Sequence, residues 1–361
     1  MRLFSAMIDR NDRNEAIDLL RGIAVLLVMC RHWYISDFLW HAGWMGVDLF
    51  FVLSGFLIAG LLFSEYERYS KVNLLQFFIR RVFKIVPLLY VLLILTIGVY
   101  LIIGQSFSSA SLFRDMFFIQ NYGGGVYGHT WSLGVELHFY LIIMLCFVLL
   151  QKWRIVLSQR STIIIFMVFL VVPFVLRTWN YYTIRDNTHY ATHMRVDSLF
   201  AGVLVCYMYR YKGLYLKFLH AKARQVLLLM ALVCLSVFGF IEPDNFFTQS
   251  IGLVLIYLSF SCILLYTITL PEKNRPFIKL PALIGFYSYA IYLVHVPVMK
   301  IFGWAGIGVE EGPLNIVYFV FYVLVCLVTG IFFSELVEQP MLRFRNKLIP
   351  SNSIKTYMPK S

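Results

Sequence analysis

Ten stretches of this chain are apolar over about the length a helix needs to cross a bilayer, roughly 20 residues. They are 17–36, 45–63, 84–104, 131–151, 162–178, 196–209, 225–241, 248–270, 281–300 and 314–336. Their apolar residues run continuously instead of alternating, which predicts helices rather than the strands of a closed barrel. Composition agrees: of 361 residues, 60% are hydrophobic and only 14% charged, where about a quarter charged is usual in soluble domains. A soluble globular protein, a disordered chain and a coiled coil are excluded. The predicted fold is all-α, a polytopic membrane protein of about ten transmembrane helices. Two stretches are unusual: the first carries Asp18, Arg21, Arg31 and His32 around its apolar centre, and the sixth is short.

Lysine and arginine placement tests that count. With the N-terminus inside, 24 basic residues fall on inner segments: Arg2 to Arg13, Arg68 to Lys84, Lys152 to Arg160, Arg210 to Arg224, Lys273 to Lys279, and the tail from Arg343 to Lys360. Six fall outside (Arg31, Arg114, Arg177, Arg185, Arg195 and Lys300), with Arg21 inside the first helix. Such an asymmetry, alternating loop by loop, is what the positive-inside rule demands, so both termini are expected to be cytoplasmic. It also accounts for the net charge of +12 without invoking nucleic acid; membrane lipids are the partners the pattern implies. One integral-membrane domain over 1–345 and a short cytoplasmic tail over 346–361 are expected. No cleavable signal peptide or appended soluble domain is evident. The six cysteines lie in apolar segments at wide spacing, with no metal-ligand pattern, so no metal is expected.

Ionisable groups inside spans are costly and mark candidate functional sites. Arg21 and His32 are eleven residues apart, which at about 100° per residue returns to within about 20° of the same helix face, about 16 Å along the axis. The arginine needs an anion, an acidic side chain or a ligand phosphate. The histidine can exchange a proton near neutral pH. A snorkelling arginine beside a hydrogen-bonding histidine is the alternative reading. Asp48 opens the second stretch, where a carboxylate at a helix N-terminus is the simpler reading. Ser54 and Gly55 suggest close helix packing. Glu136 lies about a turn inside the fourth stretch, either as partner of a buried arginine or, if next to His32, as the group that orients a general base. Arg195 and Asp197 read first as a structural ion pair; Glu335, Glu338 and His295 read as packing or capping residues. Arg80, Arg81 and Lys84 cluster within one and a half turns and suit lipid phosphates or a soluble polyphosphate.

Several of these residues carry a resemblance. Ile17 to Val25 with Arg21, followed by Arg31-His32, resembles the first helix of the acyltransferase 3 family of integral-membrane O-acyltransferases. Gly46 to Ile58, Thr130-Trp131-Ser132-Leu133 with Val135-Glu136, Arg195-Val196-Asp197, and Tyr287-Ser288-Tyr289 leading to His295 are similar to that family's motifs. Lys84 stands where the family usually has a second arginine, keeping charge but not bidentate geometry, and Leu137-His138 stands where it often has Glu-Gln. The resemblance implies transfer of an acyl group, most often acetyl, from cytosolic acyl-CoA to a hydroxyl of a cell-surface or exported carbohydrate, such as O-antigen or exopolysaccharide, in the bacterial inner membrane. The catalytic residues it implies are His32, Glu136 and Asp48. Arg21, Arg80, Arg81 and Lys84 are expected to bind acyl-CoA, and Trp131, Ser132, Arg195 and Asp197 the carbohydrate. Transfer is direct or through a separate extracytoplasmic transferase protein. A transporter or flippase for a lipid-linked sugar, its path lined by Arg21, Asp48 and Glu136, is the competing function.

Overall fold

The structure, a computed structural model, describes residues 14–153, 159–183, 190–211, 221–269, 279–307 and 313–349. All regular structure among them is helical. The helices are α1 (Glu15–His32), α2 (Asp37–Gly43), α3 (Met45–Tyr69), α4 (Leu74–Ile102), α5 (Ser109–Met116), α6 (Trp131–Lys152) and α7 (Gln159–Thr183). They continue as α8 (Thr192–Tyr211), α9 (Ala221–Val237), α10 (Leu253–Ile268), α11 (Lys279–Phe286), α12 (Ser288–Trp304), α13 (Pro313–Phe333) and α14 (Gln339–Leu348). Polar residues between the apolar runs start them. Asn14 accepts from the Ala16 and Ile17 amides to cap α1, and Asn73 accepts from the Gln76 amide to cap α4.

Every one of the ten apolar stretches is largely helical, and among the described residues six spans are long and apolar enough by length and composition to cross a membrane, or seven if α11 and α12, bent by 73°, form one broken span. α1 is charged at both ends, α8 carries Arg195, Asp197 and Arg210, and α9 has 17 residues. Arg2, Arg10, Arg13, Arg154, Arg185, Lys212, Lys217, Lys273, Arg275, Lys355 and Lys360 lie outside the described residues, as does the chain from 350 onward.

The core is built around α3 and α8. A Cβ on Gly55 would lie 1.9 Å from the Leu199 carbonyl oxygen, and one on Gly202 would lie 2.0 Å from that of Val52. The two helices therefore meet backbone to backbone, the packing that Ser54-Gly55 predicts. α1 lies against α3 and touches α11 as closely: a Cβ on Gly285 would meet the Asp18 carbonyl oxygen at 1.6 Å. At the far end of α1, Trp33 Nε1 donates to Asn315 Oδ1 at 2.8 Å, and the Asn315 amide donates to the Tyr34 carbonyl at 2.7 Å, tying α1 to α13. These contacts fix α1, and with it Arg21 and His32.

Candidate functional site

One face of α1 meets one face of α12. Arg21 Nε donates to Ser288 Oγ at 3.1 Å, and the His32 ring lies 4.9 Å from that of His295. Ser288 and His295 are seven residues apart, two helical turns, so the shared face expected of Arg21 and His32 has its counterpart on α12.

A third imidazole completes the far end. His129, from the short 3-10 turn Gly128–Thr130 before α6, lies 4.7 Å from His295 and 6.4 Å from His32, centroid to centroid. Its loop is well anchored. Asp115, buried on α5, accepts from the Val126 amide at 2.6 Å and Thr130 Oγ1 at 2.8 Å, and the Gln120 amide donates to the Thr130 carbonyl at 2.8 Å. Tyr292 O–H donates to the His129 carbonyl at 2.6 Å and is 2.7 Å from Ser132 Oγ. His295 Nδ1 faces the Tyr292 carbonyl at 2.5 Å. A carbonyl only accepts, so that nitrogen holds the proton, leaving Nε2 of the neutral ring with its lone pair. Among the described residues no His, Cys, Asp and Glu group has the arrangement of a metal site.

Glu136 is half a cavity away. Its Oε1 accepts hydrogen bonds from Ser54 Oγ and Tyr140 O–H, not from an imidazole. Arg21, Ser54, Ser132, Glu136, Ser288 and Tyr292 surround a small internal cavity of about 60 Å³. Beyond it, a larger cavity of about 820 Å³ opens at the start of α4, where Arg80, Arg81 and Lys84 line its wall. Arg81 connects the two regions, its guanidinium lying 5.6 Å from the Phe77 ring centre and 6.0 Å from that of Tyr140. Of the residues expected to bind acyl-CoA, Arg80, Arg81 and Lys84 line the large cavity and Arg21 the small one, whose Tyr292 hydrogen-bonds to the His129 carbonyl.

Arg195 and Asp197 are both in ion pairs, as their first reading had it, but each with another partner than expected. Asp48 is wholly buried and accepts from Arg195 Nη2 and Ser198 Oγ, both at 2.9 Å. Asp197 pairs with Arg177 at 2.8 Å, and Arg177 also donates to the Met194 carbonyl. Two arginines and two aspartates thus neutralise one another between α3, α7 and α8, and none lines the small cavity. Their charges face each other in the core, the arrangement of a structural ion-pair network. Trp131 packs against this network: the Arg195 guanidinium lies 5.5 Å from its ring centre. Sequence reasoning counted Arg177 as an outer loop cation and passed over His129 and Tyr140. Only the isolated charge at the end of an apolar run hinted at Arg177.

Comparison with known proteins shows the family of the chain. A family described as an acyltransferase domain (Acyl_transf_3) matches residues 14–335. The peptidoglycan O-acetyltransferase OatA of Listeria monocytogenes is 27% identical over 320 residues, covering 79% of this chain and 49% of that protein. The O-acetyltransferase OatA of Staphylococcus aureus is 24% identical over 310 residues, covering 78% of this chain and 50% of that protein. The chain spans about half the length of these relatives. No solved structure matches it.

Proposed function

The chain belongs to the Acyl_transf_3 acyltransferase family, and from that premise we propose that it is a multi-pass membrane O-acyltransferase moving an acyl group, acetyl in the first instance, from cytosolic acyl-CoA to a hydroxyl of a cell-surface or exported carbohydrate. The relatives' names, O-acetyltransferase and peptidoglycan O-acetyltransferase, support the acyl group and the class of acceptor. Ten spans with both termini cytoplasmic are part of the same proposal, which puts the start of α4 on the inner side. So are a membrane domain over 1–345 and a tail over 346–361.

The observation that carries the reading is the pairing of a basic cavity with a small one lined by Arg21 and Glu136, whose wall residue Tyr292 contacts two of three clustered imidazoles. Arg80, Arg81 and Lys84 hold the donor's phosphates. The thioester arm passes Arg21 and Glu136 toward His32, which is less buried than His129 and His295. His32 takes the proton of the acceptor hydroxyl as its oxygen attacks the thioester carbonyl; the C–S bond breaks and the proton passes to the departing thiolate. Trp131 and Ser132 face the acceptor, while Asp48, Arg195 and Asp197 hold α3 and α8 in place. Transfer is direct or through a separate extracytoplasmic transferase protein, and a reaction with the purified chain alone distinguishes the two.

The test is radiolabelled acetyl-CoA and a glycan acceptor with purified wild type and His32→Ala. Wild type consumes the thioester and the variant does not, while still binding CoA. Retained transfer by the variant removes His32 from the mechanism, and a wild type that leaves acetyl-CoA intact favours transport.

A further inference from the structure

The large cavity is more basic than the motif at the start of α4 suggests. Lys71 from the turn after α3 and Arg345 from α14 join Arg80, Arg81 and Lys84, facing one carboxylate, Glu65, for a formal +4. Glu65 already accepts from the Asn73 amide at 2.7 Å. Arg345 is half-buried and held only by neutral groups: Nε and Nη2 donate to Asn346 Oδ1 at 3.2 and 2.9 Å, and Nη1 donates to the Arg80 carbonyl at 3.3 Å. The buried Nε of Arg81 has no partner. Among the described residues no carboxylate lies within ion-pair distance of Arg81, Lys84 or Arg345. Like charges packed this closely repel, and an anion of matching charge is what relieves them.

That match sets the ligand. A nucleotide pyrophosphate diester brings about two negative charges, and a terminal phosphomonoester adds about 1.5 to 2 more. Together they match the formal charge of the lining residues, whereas the pyrophosphate alone matches about half of it. α14 reaches the cavity because the helix of α13 runs on through a π-helical turn at Ser334–Glu338, where Ser334 Oγ donates to Glu338 Oε2 at 2.7 Å, and α14 then packs on α4. Arg345 lies beyond residue 335, where the family match ends.

We propose that this cavity reads the 3′-phosphate of the donor's adenosine, with Arg345 of α14 and Lys71 as the reading cations while Arg80, Arg81 and Lys84 take the pyrophosphate. The proposal rests on the acyl-CoA reading above and adds a specificity element supplied by the C-terminal helix.

Equilibrium binding of CoA and 3′-dephospho-CoA to the purified full chain in phosphatidylcholine nanodiscs tests it. Wild type is expected to bind CoA about tenfold or more tightly than dephospho-CoA. Arg345→Gln is expected to lose most of that preference, weakening CoA and leaving dephospho-CoA unchanged, and Arg345→Lys to recover part of it. Equal affinity of wild type for the two ligands, or equal weakening of both by Arg345→Gln, overturns the proposal while leaving the acyl-CoA reading intact. The wild-type comparison stands even if a variant does not fold. Binding of neither ligand, together with intact acetyl-CoA, overturns the acyl-CoA reading itself. Repeating the titration with phosphatidylglycerol in the nanodisc separates a lipid source of phosphate: loss of the CoA preference through competition by that lipid makes the cavity a headgroup site and overturns the proposal.

Discussion

Replacing Asp48 by asparagine separates structure from chemistry in the core. The side chain is fully buried and receives two hydrogen bonds at 2.9 Å, one from the Arg195 guanidinium. Asparagine keeps the shape and removes the charge, leaving Arg195 buried without its anion. Breaking a buried pair from one side costs about 3–5 kcal/mol, while replacing both partners by apolar groups of similar volume is often near neutral. Asp48→Asn should therefore lower the thermal unfolding midpoint of the detergent-solubilised protein by many degrees, and Asp48→Leu combined with Arg195→Met should restore much of it. Activity per folded molecule should survive in the double variant. Light-scattering-monitored unfolding alongside acetyl-CoA turnover reads both quantities. An Asp48→Asn protein that is as stable as wild type but inactive would refute the reasoning and return Asp48 to the reaction.

Four further outcomes follow. Arg81→Ala should raise the apparent KM for acetyl-CoA roughly 10- to 100-fold, the worth of one charge-assisted hydrogen bond or more, with the glycan KM unchanged in steady-state assays. Gly202→Val should abolish a monodisperse elution profile, since its Cβ would have to lie 2.0 Å from a carbonyl oxygen. Tyr292→Phe removes the hydroxyl that holds the His129 carbonyl and Ser132, and should lower kcat with little change in the KM for acetyl-CoA. Burial pushes the Asp115 carboxyl above its ordinary value of 3.8 despite hydrogen bonds from Val126 and Thr130. A carboxyl raised in the folded state favours folding as it takes up a proton. Its charged form is therefore a liability above the raised value, relieved as pH falls toward 3.8. Wild type should gain stability relative to Asp115→Asn on acidification, read from unfolding midpoints between pH 4 and 7.

The helices and their membrane setting were legible because hydropathy is a local property: every stretch between 17–36 and 314–336 holds a helix. The shared face of Arg21 and His32 was legible for the same reason, since spacing within one helix fixes direction. What spacing cannot fix is which helices meet. His129 and His295 lie 166 positions apart and Arg345 lies at the end of the chain, so their convergence on the two cavities depends on tertiary packing. Asp48 and Arg195 were each singled out, for separate duties, because a charge in a hydrophobic run looks alike whether it awaits a substrate or already faces a counter-charge. Among the described residues six or seven spans are long and apolar enough by composition alone, because three of the ten helices are short or charged.

The backbone contact between α3 and α8 has a mechanical consequence. Helices separated by side chains can slide by small repacking steps, but two main chains in direct contact at Gly55 and Gly202 leave no side-chain layer to shear. Together with the equally close contact of α1 and α11, that pair resists sliding most in the molecule. Any widening of the basic cavity falls to the parts joined through long side chains, above all where α14 packs on α4.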